Sequence, residues 1–248
     1  MIAYENLAEI YDTFMDDVPY EKWSNQIVKW LHEYEIENGL VLDLGCGTGT
    51  MTEALASNGY NMMGLDVSED MLAVAQNKTQ RLGNDILYLN QDMRELELLG
   101  NVRAVVSVCD VVNYILEPRE LSETFEKINQ YLELKGIFIF DFNTKYRYQK
   151  MGASTFSEEK EMATFIWDNY YDEDTCINEC QLTLFIKEKK LYRKYQEEHY
   201  QRGYTLIEIK KAIEQAGLEF IQAYDDYSGK EVNEKSERIC MIARERGK

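Results

Sequence analysis

The sequence predicts an α/β fold on a mostly parallel sheet, with an antiparallel β insertion late in the chain. Three observations predict it. Between residues 40 and 143, short apolar runs alternate with helix-periodic stretches, the pattern of parallel strands joined by right-handed crossovers. Between the first such strand and its helix stands Val41-Leu-Asp-Leu-Gly-Cys-Gly-Thr-Gly49, an apolar strand carrying an acid and followed by glycines at alternate positions. From residue 162 to 201 the helices stop and a period-two pattern takes over.

Each element follows from its residues. Tyr4, Leu7, Ala8, Ile10, Tyr11 and Phe14 sit at helical spacing, and Pro19 marks a break. A second helix over 20–34 then carries Trp23, Ile27, Trp30, Leu31 and Tyr34 on one side. Strands are expected at about 40–44, 61–66, 85–90, 102–109 and 136–142, and helices at about 50–58, 69–81 and 118–133. Ser68, ahead of Glu69 and Asp70, suits an N-cap. Gly136 suits a helix terminus leading into a strand. In the insertion, Cys176, Cys180, Leu182, Leu184 and Ile186 share one face, and Glu179, Gln181, Thr183 and Lys187 the other. A three-stranded meander over 162–171, 176–187 and 190–201 is expected. It can lie over the carboxyl edge of the sheet, as a lid or substrate platform, or serve as a dimer surface. A helix over 205–215, strands at 218–224 and 238–243, and a polar loop between those strands complete the chain. The organisation expected is N-terminal helices (1–38), a core (39–143 and 202–248) and the insertion (144–201).

A net charge of −18 opposes binding to nucleic-acid phosphates and anionic membranes and favours cationic ligands. The first residues, Met-Ile-Ala-Tyr-Glu-Asn, lack a basic n-region, so no signal peptide is expected. No window approaches the ~20 apolar residues of a spanning helix. Five dispersed cysteines fit a reducing cytoplasm. Cys176 and Cys180 have no second pair, and buried hydrophobes are expected there rather than a metal site.

The glycine spacing separates the nucleotide-type ligands. A dinucleotide turn would place its third glycine where Thr50 stands, and no Lys-Ser/Thr pair follows to make a P-loop. Asp66 ends the next apolar strand, where an acid accepts hydrogen bonds from ribose hydroxyls. With Asp43 beside the turn, such a pocket repels pyrophosphate and suits a cation attached to ribose. S-adenosylmethionine (SAM) is such a cation.

On these residues the chain resembles the class I SAM-dependent methyltransferases over most of residues 37 to 143, and again from about 200 to 245. Asp43-Leu-Gly-Cys-Gly-Thr-Gly49 is similar to the family's first motif, Gly64-Leu-Asp-Val-Ser68 to its second and Asn90-Gln-Asp-Met93 to its third. Val105 to Ile115 is similar to its fourth strand and the active-site edge. Tyr4 to Asp12 and His199-Tyr-Gln-Arg-Gly-Tyr204 resemble a bacterial small-molecule subgroup. The resemblance implies a Rossmann-like, seven-stranded, mostly parallel sheet with helices on both faces and an antiparallel last strand. It implies SAM as cofactor and S-adenosylhomocysteine as product. Tyr11, Asp43, Gly45, Cys46, Gly47, Gly49, Asp66, Val67, Gln91, Asp92, Met93 and Cys109 would surround the cofactor. Among them, Asp66 would hold the ribose, Asp92 the adenine amino group and Met93 an apolar contact, with Tyr11 reaching over.

Methyl transfer from a sulfonium is an in-line displacement with a good neutral leaving group, so alignment dominates. A base is needed only where the nucleophile arrives protonated. Asp110, Asn113 and Tyr114, on the edge after the fourth strand, can orient an amine or hydroxyl; Asp110 and Asn113 can equally cap the following turn. Asp141 and Asn143 could line the substrate side. His199 can serve as base or as a structural cross-strand bond, and Arg202 as a carboxylate clamp or structural ion pair. There is no Asn-Pro-Pro-Tyr or Asp-Pro-Pro-Tyr box, the mark of methyltransferases acting on planar amino groups. The expected activity is methylation of an N or O nucleophile on a small molecule, without membrane or nucleic-acid partners. The insertion is read as a lid or as the surface of a homodimer, and the residues leave the two open. The rivals are RNA or protein methylation, with Lys187, Lys189, Lys190, Arg193 and Lys194 as a basic cluster, and a non-catalytic SAM-binding regulator. An NAD oxidoreductase ranks below them.

Overall fold

The computed structural model describes residues 8–247, so Tyr4 and Leu7 lie outside the described residues. Five parallel strands form the centre: β1 (Leu40–Leu44), β2 (Asn61–Asp66), β3 (Leu87–Asn90), β4 (Val102–Ser107) and β5 (Leu132–Asn143). In the insertion that follows, β6 (Ser154–Glu159), β7 (Ala163–Asp172), β8 (Ile177–Glu188) and β9 (Leu191–Arg202) form a separate antiparallel sheet. The chain then returns through β10 (Leu218–Asp225), β11 (Lys230–Glu231) and β12 (Arg238–Glu245). The main sheet runs β11-β10-β12-β5-β4-β1-β2-β3, with β12 antiparallel between β5 and β10. It has eight strands rather than seven, because the two-residue β11 pairs with β10 inside the segment expected to be loop. That polar segment also hides an anchor: Tyr227 is buried and stacks on Trp23 at 4.6 Å.

The helices are α1 (Ala8–Phe14), α2 (Tyr20–Glu33), α3 (Thr50–Ser57), α4 (Glu69–Leu82), α5 (Pro118–Tyr131), α6 (Lys145–Met151) and α7 (Leu206–Gln215). Period-two alternation sends neighbouring strand residues to opposite faces. Leu42, Phe138 and Phe140 pack with Phe125 of α5 and Ile209 and Ile213 of α7. Val41, Ile137 and Ile139 pack with Ile27, Trp30 and Leu31 of α2 and Met51 and Leu55 of α3. Both faces are therefore covered, as a parallel sheet requires. Local signals place the helix starts: Ser68 Oγ accepts from Met71 N at α4, Pro118 opens α5, and Thr205 with Glu208 forms a capping box at α7.

Gly136 does not end a helix. It lies within β5 at a register shift against β4, where an added Cβ would sit 2.9 Å from Glu133 O. Close backbone approach, rather than a helix cap, requires that glycine.

The insertion has four strands, ordered β6-β7-β8-β9, where three were expected. The edge strand β6 has almost no apolar alternation, and α6 buries only Tyr148, so neither carries a periodic signal. Cys176 is not on a strand but in the β7–β8 turn, with φ of 62°, while Cys180 is buried. The face turned inward carries Leu182 and Leu184, but also buried Asn169, Asn178, Glu197, His199 and Gln201. α1 bridges the two sheets. Ile10 clusters with Ala163, Leu182 and Leu184, Phe14 meets Phe165 edge-on at 4.8 Å, and Asp12 pairs with Lys78 of α4 at 2.6 Å. Among the described residues, no helix is long and apolar enough to cross a membrane.

Candidate active site

The turn after β1 is held by Gly45 N and Cys46 N, which both donate to Leu65 O at 2.7 and 2.9 Å. Gly45 and Gly47 have φ of 76° and 53°, in the region glycine adopts without penalty. Their surroundings differ. A Cβ on Gly45 would lie 2.5 Å from Val111 Cγ1, whereas one on Gly47 would meet nothing within 4 Å. Gly47 opens onto a cavity of about 340 Å³ lined also by Tyr11, Gly45, Asp66, Val67, Gln91, Asp92, Met93, Cys109 and Tyr114. Leu65, Met71, Arg94 and Val111 also line it; none was singled out from sequence. Met71 follows the second motif by one helical turn and was within reach. Val111 comes from a distant segment, and only the folded turn brings it against Gly45.

Asp66 Oδ2 accepts from Gly47 N at 2.8 Å and Oδ1 from Ser68 N at 2.9 Å. A carboxylate offers about four acceptor positions, so these backbone bonds leave capacity for a further donor. Burial pushes its pKa up. Asp43, expected beside the turn, lies beneath it and does not line the cavity. Its Oδ2 accepts from Thr52 Oγ1 at 2.6 Å, Oδ1 has no hydrogen-bond partner among the described residues, and burial pushes its pKa up to about 7. Cys46 and Gly49 are also absent from the lining. The Cys46 side chain packs toward β2, with its thiol pushed up by burial, and Gly49 admits Ala75 of α4 and the Tyr88 hydroxyl.

On the opposite wall, Asp92 accepts from Arg94 N at 2.9 Å and pairs with the Arg94 guanidinium at 2.6 Å, which lowers its pKa. The Gln91 amide is bonded both ways to the Glu97 backbone at 3.1 Å.

Beyond β4, Cys109 and Asp110 are consecutive non-glycine residues with φ of 62° and 53°, a conformation that costs energy and persists only when the surroundings impose it. Asp141 imposes it. Its fully buried carboxylate accepts from Cys109 N at 3.0 Å and Asp110 N at 2.6 Å, and from Tyr227 Oη at 2.6 Å. Arg238 joins Asp141 to Asp110, with contacts of 2.9 and 2.8 Å, while Gln201 Nε2 donates to Asp110 Oδ2 at 2.7 Å. Arg238, Gln201 and Tyr227 were not singled out from sequence, because their β-strand and loop contexts give no local cue.

Of the residues expected to meet the acceptor, only Tyr114 lines the cavity. Asp110 is held in the Arg238–Gln201 network. Asn113 is fully buried: its Nδ2 donates to Asn143 O and Arg202 O at 2.9 and 2.7 Å, and its Oδ1 accepts from Asn143 N at 2.8 Å. His199 stands one layer behind, with Nδ1 3.3 Å from Tyr114 Oη. Asp141 is a buttress rather than a cavity wall. Arg202 does not line the cavity; its guanidinium donates to Thr175 O at 3.0 Å and lies over the Tyr204 ring, and among the described residues it makes no ion pair.

A cationic adenosyl donor fits these residues. The glycine cradle is one that a Cβ on Gly47 would invade, Asp66 retains acceptor capacity, and Asp43 carries an orphaned buried oxygen beneath the turn.

Known proteins agree with this geometry. Residues 41–136 match the family described as "Methyltransferase domain". A Bacillus subtilis (strain 168) protein named as a methyltransferase, YqeM, is 31% identical over 98% of this chain and 97% of its own. A SAM-dependent methyltransferase from Clostridium acetobutylicum ATCC 824 superposes with a TM-score of 0.89 at 29% identity, covering 99% of this chain and 100% of its own. The sugar N-methyltransferase KedS8 from Streptoalloteichus shares the fold, with a TM-score of 0.80 at 16% identity over 100% of this chain and 97% of its own. With a glycine turn, a ribose-type acid and the β4 edge gathered on one cavity, and with a near full-length relative among methyltransferases, the chain belongs to the SAM-dependent methyltransferases of Rossmann-like fold.

Proposed function

We propose that this enzyme methylates a nitrogen or oxygen nucleophile of a small molecule, with the cavity as the shared site of donor and acceptor. The observation that carries the reading is the continuity of one cavity from Gly47 and Asp66 to Cys109 and Tyr114. Bound SAM supplies an electrophilic methyl on a sulfonium. Asp66 would accept from the ribose hydroxyls through its remaining acceptor capacity, and Gly45 and Gly47 would let the backbone approach. Asp92 and Met93 would flank the adenine, and Tyr11, carried by α1, would cover the donor. Asp43, buried beneath the turn, adds a negative field when ionised. The Asp141–Arg238 buttress fixes the backbone at Cys109 and Asp110 before substrate arrives, and Tyr114 presents its hydroxyl to the acceptor. Orientation of this kind supplies on the order of 7–11 kcal/mol in favourable cases.

The likeness to a sugar N-methyltransferase and the modest volume of the cavity support a small acceptor. The rival basic cluster at the β8–β9 hairpin supports RNA poorly, since Arg193 is paired with Glu188 at 3.0 Å. The test is label transfer from methyl-labelled SAM to a fractionated metabolite extract and, separately, to bulk tRNA. Label in the metabolite fractions alone is expected, and label in tRNA alone overturns the reading. A homodimer through the insertion is supported by the outward Tyr170 and Tyr200, both exposed, and sedimentation checks it. Five free thiols fit a reducing cytoplasm.

A further inference from the structure

Behind the cavity, the inner face of the insertion carries charge where an apolar row would pack. Glu197 and His199 are two apart on β9 and so share a face. Both are about 95% buried or more. Their cross-strand neighbours on β8, Leu182 and Cys180, are small or apolar and equally buried. A buried acid is costly, and packed hydrophobes commonly serve stability as well or better.

The geometry gives it another role. Tyr114 touches both sides: its side chain lines the cavity, and its hydroxyl lies 3.3 Å from His199 Nδ1, with the rings edge to face. On the far side of the imidazole, His199 Nε2 lies 3.3 Å from Glu197 Oε2, within ion-pair distance but off hydrogen-bond geometry. A line runs from the cavity through a phenol and an imidazole to a buried carboxylate. If the Tyr114 hydroxyl donates to Nδ1, the imidazole proton resides on Nε2, facing Glu197. The order is that of a general base backed by an orienting acid. Contacts of this length are common before substrate binds and tighten in the complex.

We infer that Tyr114, His199 and Glu197 form a proton-accepting chain for the methyl acceptor, and that the acceptor is a primary or secondary amine that arrives as an ammonium. This rests on the proposed transfer to a small molecule and names its class. An ammonium has no lone pair to offer until it loses a proton. An ammonium is far more acidic than an alcohol, so its proton is the better match for an imidazole. The step balances as follows. The ammonium proton passes to the Tyr114 oxygen as the Tyr114 hydroxyl proton moves to His199 Nδ1. The freed nitrogen lone pair forms the N–C bond to the methyl group. The S–C bond breaks, and its electron pair stays on sulfur as the neutral thioether. Glu197 stabilises the imidazolium until its proton returns to solvent. Tyr114 is the catalytic residue, and His199 and Glu197 are positioning residues acting through it.

Because the chain has only two histidines, the arrangement can be read directly. Full-length protein labelled with ¹⁵N-histidine and saturated with S-adenosylhomocysteine shows two imidazoles, and His32→Gln assigns them. His199 is expected as the Nε2–H tautomer, and Glu197→Gln and Tyr114→Phe are each expected to shift its nitrogen resonances. An Nδ1–H tautomer, or resonances indifferent to both substitutions, overturns the chain. In parallel, transfer from methyl-labelled SAM to the metabolite extract is compared in wild type, Glu197→Gln and His199→Gln. A fall of about 10²-fold at saturating SAM is expected, with SAM Kd by calorimetry unchanged and the wild-type label recovered in N-methyl amines. Wild-type rates in both variants, or label recovered only as methyl ethers or esters, overturn it. If wild type binds SAM and labels no fraction, the transferase reading falls, and the tautomer still decides whether the chain exists.

Discussion

The donor half and the acceptor half of the site are built in opposite ways. The donor half is local: the turn at Gly45 to Gly49, Asp66 and the segment from Gln91 to Met93 are short motifs at the ends of consecutive strands, bonded largely to their neighbours. The acceptor half is assembled at long range. Cys109 and Asp110 keep their left-handed backbone because Asp141 of β5, Arg238 of β12, Gln201 of β9 and Tyr227 converge on them. Polar side chains make this half, and most of them never reach the cavity. The comparison teaches that a common donor needs only a contiguous cradle, whereas an acceptor edge borrows its rigidity from the whole sheet.

The largest expected effect breaks the acceptor half. Arg238→Met leaves two carboxylates close together without their cation, and removal of one partner of a buried pair typically costs about 3–5 kcal/mol. Urea unfolding should show it, and a loss below about 1 kcal/mol would mean that the buttress contributes little.

Asp43 tests the donor half through pH. Its folded pKa, about 7, is raised from the ordinary 3.8 by burial, so the folded state binds the proton more tightly than the unfolded state. Stability from this group is therefore fully present at the acid end and declines as pH rises toward 7. The loss is a few kcal/mol at most, since each unit of displacement is worth about 1.4 kcal/mol. Asp43→Asn should lack that slope in denaturation between pH 4 and 8 at ~0.5-unit steps; parallel curves for the two proteins would contradict the assignment.

The two cavity-side glycines separate folding from binding. Gly45→Ala forces a Cβ onto Val111 in a left-handed backbone and should cost about 2–4 kcal/mol of stability. Gly47→Ala has open space and should cost only about 1 kcal/mol, yet place a methyl in the donor's path and weaken S-adenosylhomocysteine binding. Equal thermal stability for the two variants would refute the distinction. Asp66→Ala should leave the fold intact and weaken cofactor binding by about 1.5–3 kcal/mol, the worth of a charged hydrogen bond; unchanged affinity by calorimetry would remove Asp66 from the ribose.

Legibility in the sequence follows the same division. Gly47, Asp66 and Met93 were readable because strand, turn and helix signals lie within a few residues of them. Asp43 was placed at the wall because sequence shows that an acid precedes the turn but not how far beneath it the strand end lies. Asn113 looked like an acceptor ligand, yet its amide joins the turn after β4 to β5 and β9. The strand β6 and helix α6 were missed because each buries too little apolar surface to imprint a period on the sequence. Glu197 read as one polar residue among many on β9, since the burial of one strand face by distant parts of the chain leaves no local mark.

By itself the sequence determined the parallel α/β core, the position of the glycine cradle and the class of donor, because backbone conformation and period-two burial are set by residues close together in the chain. Only the tertiary structure decided which carboxylate meets the cavity, what holds Cys109 and Asp110 in their costly conformation, and that an imidazole backed by a buried acid stands behind Tyr114. Those outcomes depend on the pairing of β9 and β12 with segments about a hundred residues away, and desolvation, which sets the cost and strength of each charge, exists only once that pairing is made.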